Sequence, residues 1–234
     1  VKTFATIALA ASTICAAFAG LAPTAAAADP AKPVAATDML FERRHLDNVP
    51  VGQKLAYRFD RTVSKPDVLG RPFADDITID IKKIADDKTR EVAIKVFTGE
   101  RARDVQVIDG MTGNPILVVF LDRSVASYMA VAGGKLPYLK ERYRAALRDR
   151  ATVEPVTVKL ADKTVPGFRI TITPYSGDPN ASRMQGYENS RFQMVVSDAV
   201  PGHFVELVAS YENTNKDAPT FVERVAMVGA EIVK

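Results

Sequence analysis

The run NPILVVFLDRSVASYMAVAGG, residues 114–134, decides how the rest of the chain is read. Asn114 offers a side-chain acceptor to an unpaired helical N–H, and Pro115 suits a first helical position, where no donor is needed. Ile116 to Leu121 then contain no polar residue. Alone, so short a β-branched run reads as a core strand as readily as a helix. The continuation favours the helix. Val125, Tyr128, Met129 and Ala132 fall three and four apart beyond Asp122-Arg123-Ser124, and Gly133-Gly134 supplies a stop. A helix apolar on every side has to be covered on every side. A second helix is expected over Pro137–Asp149, with the stripe Leu139, Tyr143, Ala146 and Leu147. Its other faces carry Lys140, Arg142, Arg144 and Arg148.

Strand signals lie on both sides of this insert. Leu55, Tyr57 and Phe59 alternate with polar or small residues, and Ile77, Ile79 and Ile81 alternate with Thr78, Asp80 and Lys82. Val92–Val96 and Val105–Val107 complete a group of about four strands ahead of the helices. About five more follow, around Val156–Leu160, Phe168–Ile172, Phe192–Val196, Val205–Tyr211 and Val222–Ile232. Phe41 to Leu46 leaves helix and strand both open. One-sided strands joined by short turns belong to antiparallel sheets, and no βαβ alternation is present.

The N-terminal residues 1–28 read as a signal peptide: Lys2, then an Ala-rich apolar stretch, then Ala26-Ala27-Ala28 as the cleavage motif near Ala28. Residues 29–40, with Pro30 and Pro33, read as a flexible arm, and 41–234 as a single β-rich domain. The expected location is periplasmic or secreted. Cys15 is the sole cysteine and leaves with the signal, so disulfides, thiol chemistry and cysteine-held metals are excluded from the mature chain. A formal charge of +3 carries no basic stripe of the kind that marks a nucleic-acid binder. No second apolar stretch is long enough to cross a membrane as a helix.

Little catalytic patterning emerges. The two histidines, His45 and His203, stand at no zinc-ligand spacing, and His203 reads as a turn residue after Pro201-Gly202. There is no G-x-S-x-G elbow and no phosphate-binding glycine loop. Ser176 or Ser197 with His203 and Asp198 would make a dispersed triad of a sort any chain offers. Asp75-Asp76 and Asp86-Asp87 read as strand-end turn residues. No metal and no cofactor is expected. The loop from Tyr175 to Tyr187, with Asp178, Asn180 and Arg183, is long and polar, the type of segment on which function tends to sit.

A curved antiparallel sheet wrapped round the helix would cover both the sheet's apolar face and the helix. That arrangement resembles the half-barrels of periplasmic lipoprotein carriers and mycobacterial lipid-binding lipoproteins. Across Asn114–Arg150 and Pro174–Gly202 the chain resembles exported bacterial proteins of unknown function. The expected fold is therefore α+β: a curved, mainly antiparallel, half-barrel-like sheet of about nine strands packed on a helical insert over residues 114–150. The first functional reading is a non-enzymatic exported protein that holds an apolar small molecule or lipid between sheet and helix, against Phe120, Leu121, Tyr128 and Met129. The second is an envelope interaction module whose protein partner docks on the basic helix through Lys140, Arg142, Arg144 and Arg148. The third is a hydrolase with a dispersed site.

Overall fold

The computed structural model describes residues 35–233. The expected signal peptide and the beginning of the N-terminal arm lie outside the described residues. Within them, Ala36, Met39 and Leu40 are buried, and Asp38–Glu42 forms a single wide helical turn.

Four strands come first: β1 (Lys54–Val63), β2 (Phe73–Ile84), β3 (Arg90–Val96) and β4 (Gln106–Met111), with a one-turn helix α1 (Pro66–Leu69) between β1 and β2. The expected insert follows as two helices, α2 (Ile116–Ala132) and α3 (Leu136–Asp149). Six strands close the chain: β5 (Thr152–Leu160), β6 (Lys163–Ile172), β7 (Arg191–Val196), β8 (Phe204–Tyr211), β9 (Phe221–Met227) and β10 (Ala230–Ile232). All pair antiparallel in one sheet of order β10-β5-β6-β7-β8-β9-β1-β2-β3-β4. The halves before and after the insert meet where β1 lies beside β9, with Tyr57 opposite Met227 and Phe59 opposite Val225.

The strand count is ten rather than nine because the final apolar run breaks. Val228-Gly229 turns, with Gly229 at φ +86°, a region open to glycine at little cost. The chain beyond that turn leaves β9 and pairs with β5, Ala230 opposite Leu160. A small second core of Val158, Val195, Val200, Val205 and Ala230 fills that corner.

The half-barrel expectation is overturned. The sheet is open, with β10 and β4 as its free edges, and it is neither closed nor curled round α2. The reason lies in α2 itself. The expectation required a helix covered on every side, whereas Val118 is 56% exposed and Met129 36%. The sheet therefore has to cover only one flank of the helix, and α3 covers another. The main core lies between the sheet's inner face and these helices: Leu55, Tyr57, Phe59, Ile77, Ile79, Ile170, Phe192, Met194 and Leu207 meet Ile116, Leu117, Phe120, Val125 and Tyr128. The alternation read in β1 and β2 is what puts those residues inward, with Leu55 opposite Ile79 and Tyr57 opposite Ile77.

The start of α2 shows how the insert is tied to the sheet. The Asn114 side chain accepts from the Ile116 N–H at 3.1 Å and donates to the Tyr57 hydroxyl and the Gly202 carbonyl, each at 2.9 Å. Gly202 sits at φ +73°, and a Cβ there would fall 2.6 Å from the Asn114 amide nitrogen and 2.7 Å from Leu55. That close approach requires glycine in the β7–β8 turn.

Candidate functional site

The surface around α2 departs most from what a solvated helix should show. An amphipathic helix normally gives water its charged face. Here the outward positions are Val118, Asp122, Ala126, Met129 and Ala130, so the exposed ridge carries one charge among apolar and small side chains. The cause is local sequence: apart from Asp122 and Arg123, α2 has no charged residue to place outside. Arg123 is itself turned inward onto Glu223 at 2.8 Å.

Each flank of the ridge is concave. Toward α3 a groove of about 210 Å³ runs between Phe41, Val118, Leu121 and Leu147, with Lys140, Arg144 and Asp122 on its rim. Phe41 is 48% exposed and contributes a second uncovered apolar side chain. Toward the sheet edge a trough of about 510 Å³ has Ile94, Val96, Val119 and Ala126 along its floor and Arg103 and Asp104 on its rim. A wider depression of about 660 Å³ lies elsewhere, along Pro155, Val156, Thr164 and Arg169 on β5 and β6, and no cluster of ionisable groups converges on it.

The residues singled out in the sequence fall in different places. Leu121 lines the α2–α3 groove, Phe120 and Tyr128 are buried in the main core, and Met129 faces solvent. Tyr128 stacks on Tyr175 at 3.9 Å between ring centroids. Among the basic residues, Lys140 reaches across to Asp122 of α2 at 2.6 Å, and Arg142 pairs at 2.6 Å with Asp178, whose side chain is fully buried. Arg144 and Arg148 project into solvent, Arg144 with Glu141 as a loose neighbour at 3.8 Å and Arg148 in a two-bond ion pair with Asp149 at 2.9 and 3.0 Å. The polar loop after β6 thus holds α3 in place. Burial opposes ionisation of Asp178, but the Tyr138 hydroxyl, the Asn180 N–H and Arg142 outweigh it and keep its carboxyl below the usual range.

The two histidines, far apart in sequence, meet in the fold. Their ring centroids are 5.3 Å apart, edge to face. His45 is buried and its Nε2 donates to the Met39 carbonyl at 2.8 Å, which leaves Nδ1 as the acceptor facing the Asn114 N–H. His203, at φ +65° in the β7–β8 turn, has Nδ1 3.4 Å from Asp198, which also pairs with Arg43. No sequence spacing announces this contact. Neither ring hydrogen-bonds a hydroxyl among the described residues, and the Ser197 hydroxyl is engaged by the Pro166 carbonyl at 2.7 Å. Among those residues no group of three or more His, Cys, Asp or Glu side chains is placed to hold a metal ion. Asp87 accepts from Thr89 within its own turn, as expected, whereas Asp75 is a buried residue of β2 that accepts from the distant Thr98 N–H and hydroxyl.

The paired rings carry a pH dependence. Burial lowers the pKa of both below the ordinary histidine value. For His203 the neighbouring His45 adds to that, and for both rings Asp198 opposes it. A folded state that binds these protons less readily than the unfolded chain is at full strength above the unfolded pKa, about 6.5. It loses stability as pH falls from there toward the folded values. Urea midpoints are expected to drop between about pH 7 and pH 5, and His203→Gln should flatten that part of the profile. An unaltered slope in the variant would remove the histidine pair from the account.

No family model and no curated protein matches the chain. Two solved structures are similar to it. One is described as the crystal structure of MucB in complex with MucA(peri), at 14% identity and a TM-score of 0.37, with 85% of this chain and 56% of that chain covered. The other is the complex structure of Pseudomonas aeruginosa MucA/MucB, at 12% identity and a TM-score of 0.37, covering 85% and 57%. The chain spans a little over half the length of the solved chains it matches.

Proposed function

We propose that this protein is an exported, non-catalytic docking module of the bacterial envelope. Its partner is a protein segment that presents apolar side chains beside carboxylates. The observation that carries the reading is the apolar solvent face of α2, Val118 and Met129 foremost, set beside the exposed cation Arg144 on the rim of the α2–α3 groove. An exposed apolar strip on a chain otherwise rich in surface charge is characteristic of a contact surface. The cationic rim selects acidic partners and speeds their approach. The export half of the reading rests on the signal-like N-terminal residues.

A photo-crosslinking residue at Val118 or Met129, in cells, should yield one defined protein adduct. The same residue at exposed Lys88, on the β2–β3 turn, should yield none. Arg144→Glu with Arg148→Glu is expected to reduce the adduct about tenfold, the scale of one lost charge-assisted contact. Equal adducts from all three positions, or indifference to the charge reversal, would sink the proposal. The apolar-ligand reading keeps one specific observation, the trough between α2 and the sheet edge. A lipid retained through purification and seen by native mass spectrometry would support it instead.

A further inference from the structure

The sheet ends at β4, whose ladder with β3 is regular over Gln106–Ile108 and shifts register only toward Met111, where Gly110 has φ +71°; the regular part of that edge is unguarded. Sheet edges are usually blunted by proline, lysine, a sharp bulge or a covering loop, because a row of unpaired N–H and C=O groups recruits another strand. Val105 to Met111 contains neither proline nor lysine. Val105 is 56% exposed and Val107 63%. Ladder bonds from β4 run to β3, where Gln106 lies opposite Ile94 and Ile108 opposite Val92. Over residues 105–109 no backbone group has a backbone partner outside that ladder among the described residues.

Beside this edge lies the trough floored by Ile94, Val96, Val119 and Ala126. A strand sends alternate side chains to opposite faces. A strand added to β4 would therefore drop every second side chain toward the trough and lay the others against Val105 and Val107. On the trough's rim the Arg103 guanidinium makes no ion pair among the described residues. Asp104 shares the rim and disfavours a run of acidic residues, so the complement is a single carboxylate at one end of an otherwise uncharged segment.

We propose that the outer edge of β4 receives an extended peptide segment as an eleventh, antiparallel strand, with its small apolar side chains in the β4–α2 trough and a terminal carboxylate at Arg103. Backbone hydrogen bonds supply the affinity and the trough selects the side chains, as in other strand-addition sites. This goes beyond docking on the α2 ridge and does not depend on it. It uses a different edge, and its probe is synthetic.

The probe is a short acetylated, amidated peptide alternating valine and threonine, with one glutamate at an end, titrated into the intact protein. The expected result is slowed amide exchange confined to β4. Peptides N-methylated at alternate residues provide the decisive comparison, because only one of the two alternation phases points its N–H groups at the edge. Methylating that phase should weaken binding by about tenfold or more, while the other phase should bind as the parent does. Arg103→Ala should weaken the parent peptide about threefold to tenfold and leave a glutamine-ended peptide unaffected, whereas Arg144→Glu should change neither. Equal loss from both phases, or protection elsewhere than β4, overturns the proposal. So does protection of β4 without peptide in a concentration-dependent dimer, which would assign the edge to a second copy of this chain.

Discussion

Glu223→Ala is expected to lower the unfolding free energy by about 3–5 kcal/mol, the scale for removing one partner of a buried charge pair. Glu223 is on the core-facing side of β9, 3% exposed, and lies between two guanidinium groups. Arg123 of α2 reaches it at 2.8 Å and Arg61, its cross-strand neighbour on β1, at 3.5 Å. Those cations rest on aromatic faces, Arg123 over Phe59 and Arg61 over Phe221, at 4.5 and 4.8 Å. Truncation would leave two half-buried positive charges facing each other with nothing between them. The same reasoning predicts a recovery. Glu223→Leu combined with Arg123→Leu and Arg61→Leu should regain much of the loss, because an apolar cluster has no desolvation cost to offset. Urea unfolding would measure all of these. A loss under about 1 kcal/mol for Glu223→Ala would show that water solvates the cluster as it does a surface pair.

The second large effect belongs to Asn114, and its sign is informative. Asn114→Ala removes a helix cap worth about 1 kcal/mol. It also leaves the buried Tyr57 hydroxyl and Gly202 carbonyl without this partner, at about 1–3 kcal/mol, for a total near 2–4 kcal/mol. Aspartate caps as well as asparagine does. Even so, Asn114→Asp is expected to be at least as harmful as Asn114→Ala. It would exchange a two-proton donor for an acceptor aimed at a carbonyl oxygen 2.9 Å away. If Asp were tolerated and Ala not, the cap alone would account for the residue.

These two residues also mark where the sequence could be read and where it could not. Asn114 with Pro115 before the apolar run, and Gly133 after Ala132, delimit α2 within one residue of the helical ladder, because caps and stops are local chemistry. The Ile77–Ile79–Ile81 alternation identifies a one-faced strand for the same reason. The orientation of α2 was not legible. With every side chain from Ile116 to Leu121 apolar, no face of that turn is distinguished, so nothing local says that Val118 meets water while Phe120 meets the core. The half-barrel expectation arose from that ambiguity. Nothing local marks Glu223, because its two partners lie on β1 and α2, far away in sequence. The meeting of His45 and His203, and the uncovered β4 edge, are likewise consequences of tertiary placement that no spacing encodes.

The placement of β9 between β8 and β1 has a kinetic consequence. Tyr57 finds its second cross-strand neighbour only when Met227 is available, and β5 finds its outer neighbour only after Gly229 has turned the chain. Until then the early hairpins β1 to β4 and the later meander β5 to β8 are separate pieces, each with an open flank. They are joined by the β1–β9 ladder, whose partners lie far apart in the sequence. Such a topology folds slowly, because the loop-closure entropy falls due before the distant pairing can offset it. The two halves of the sheet therefore become one only through that single long-range ladder.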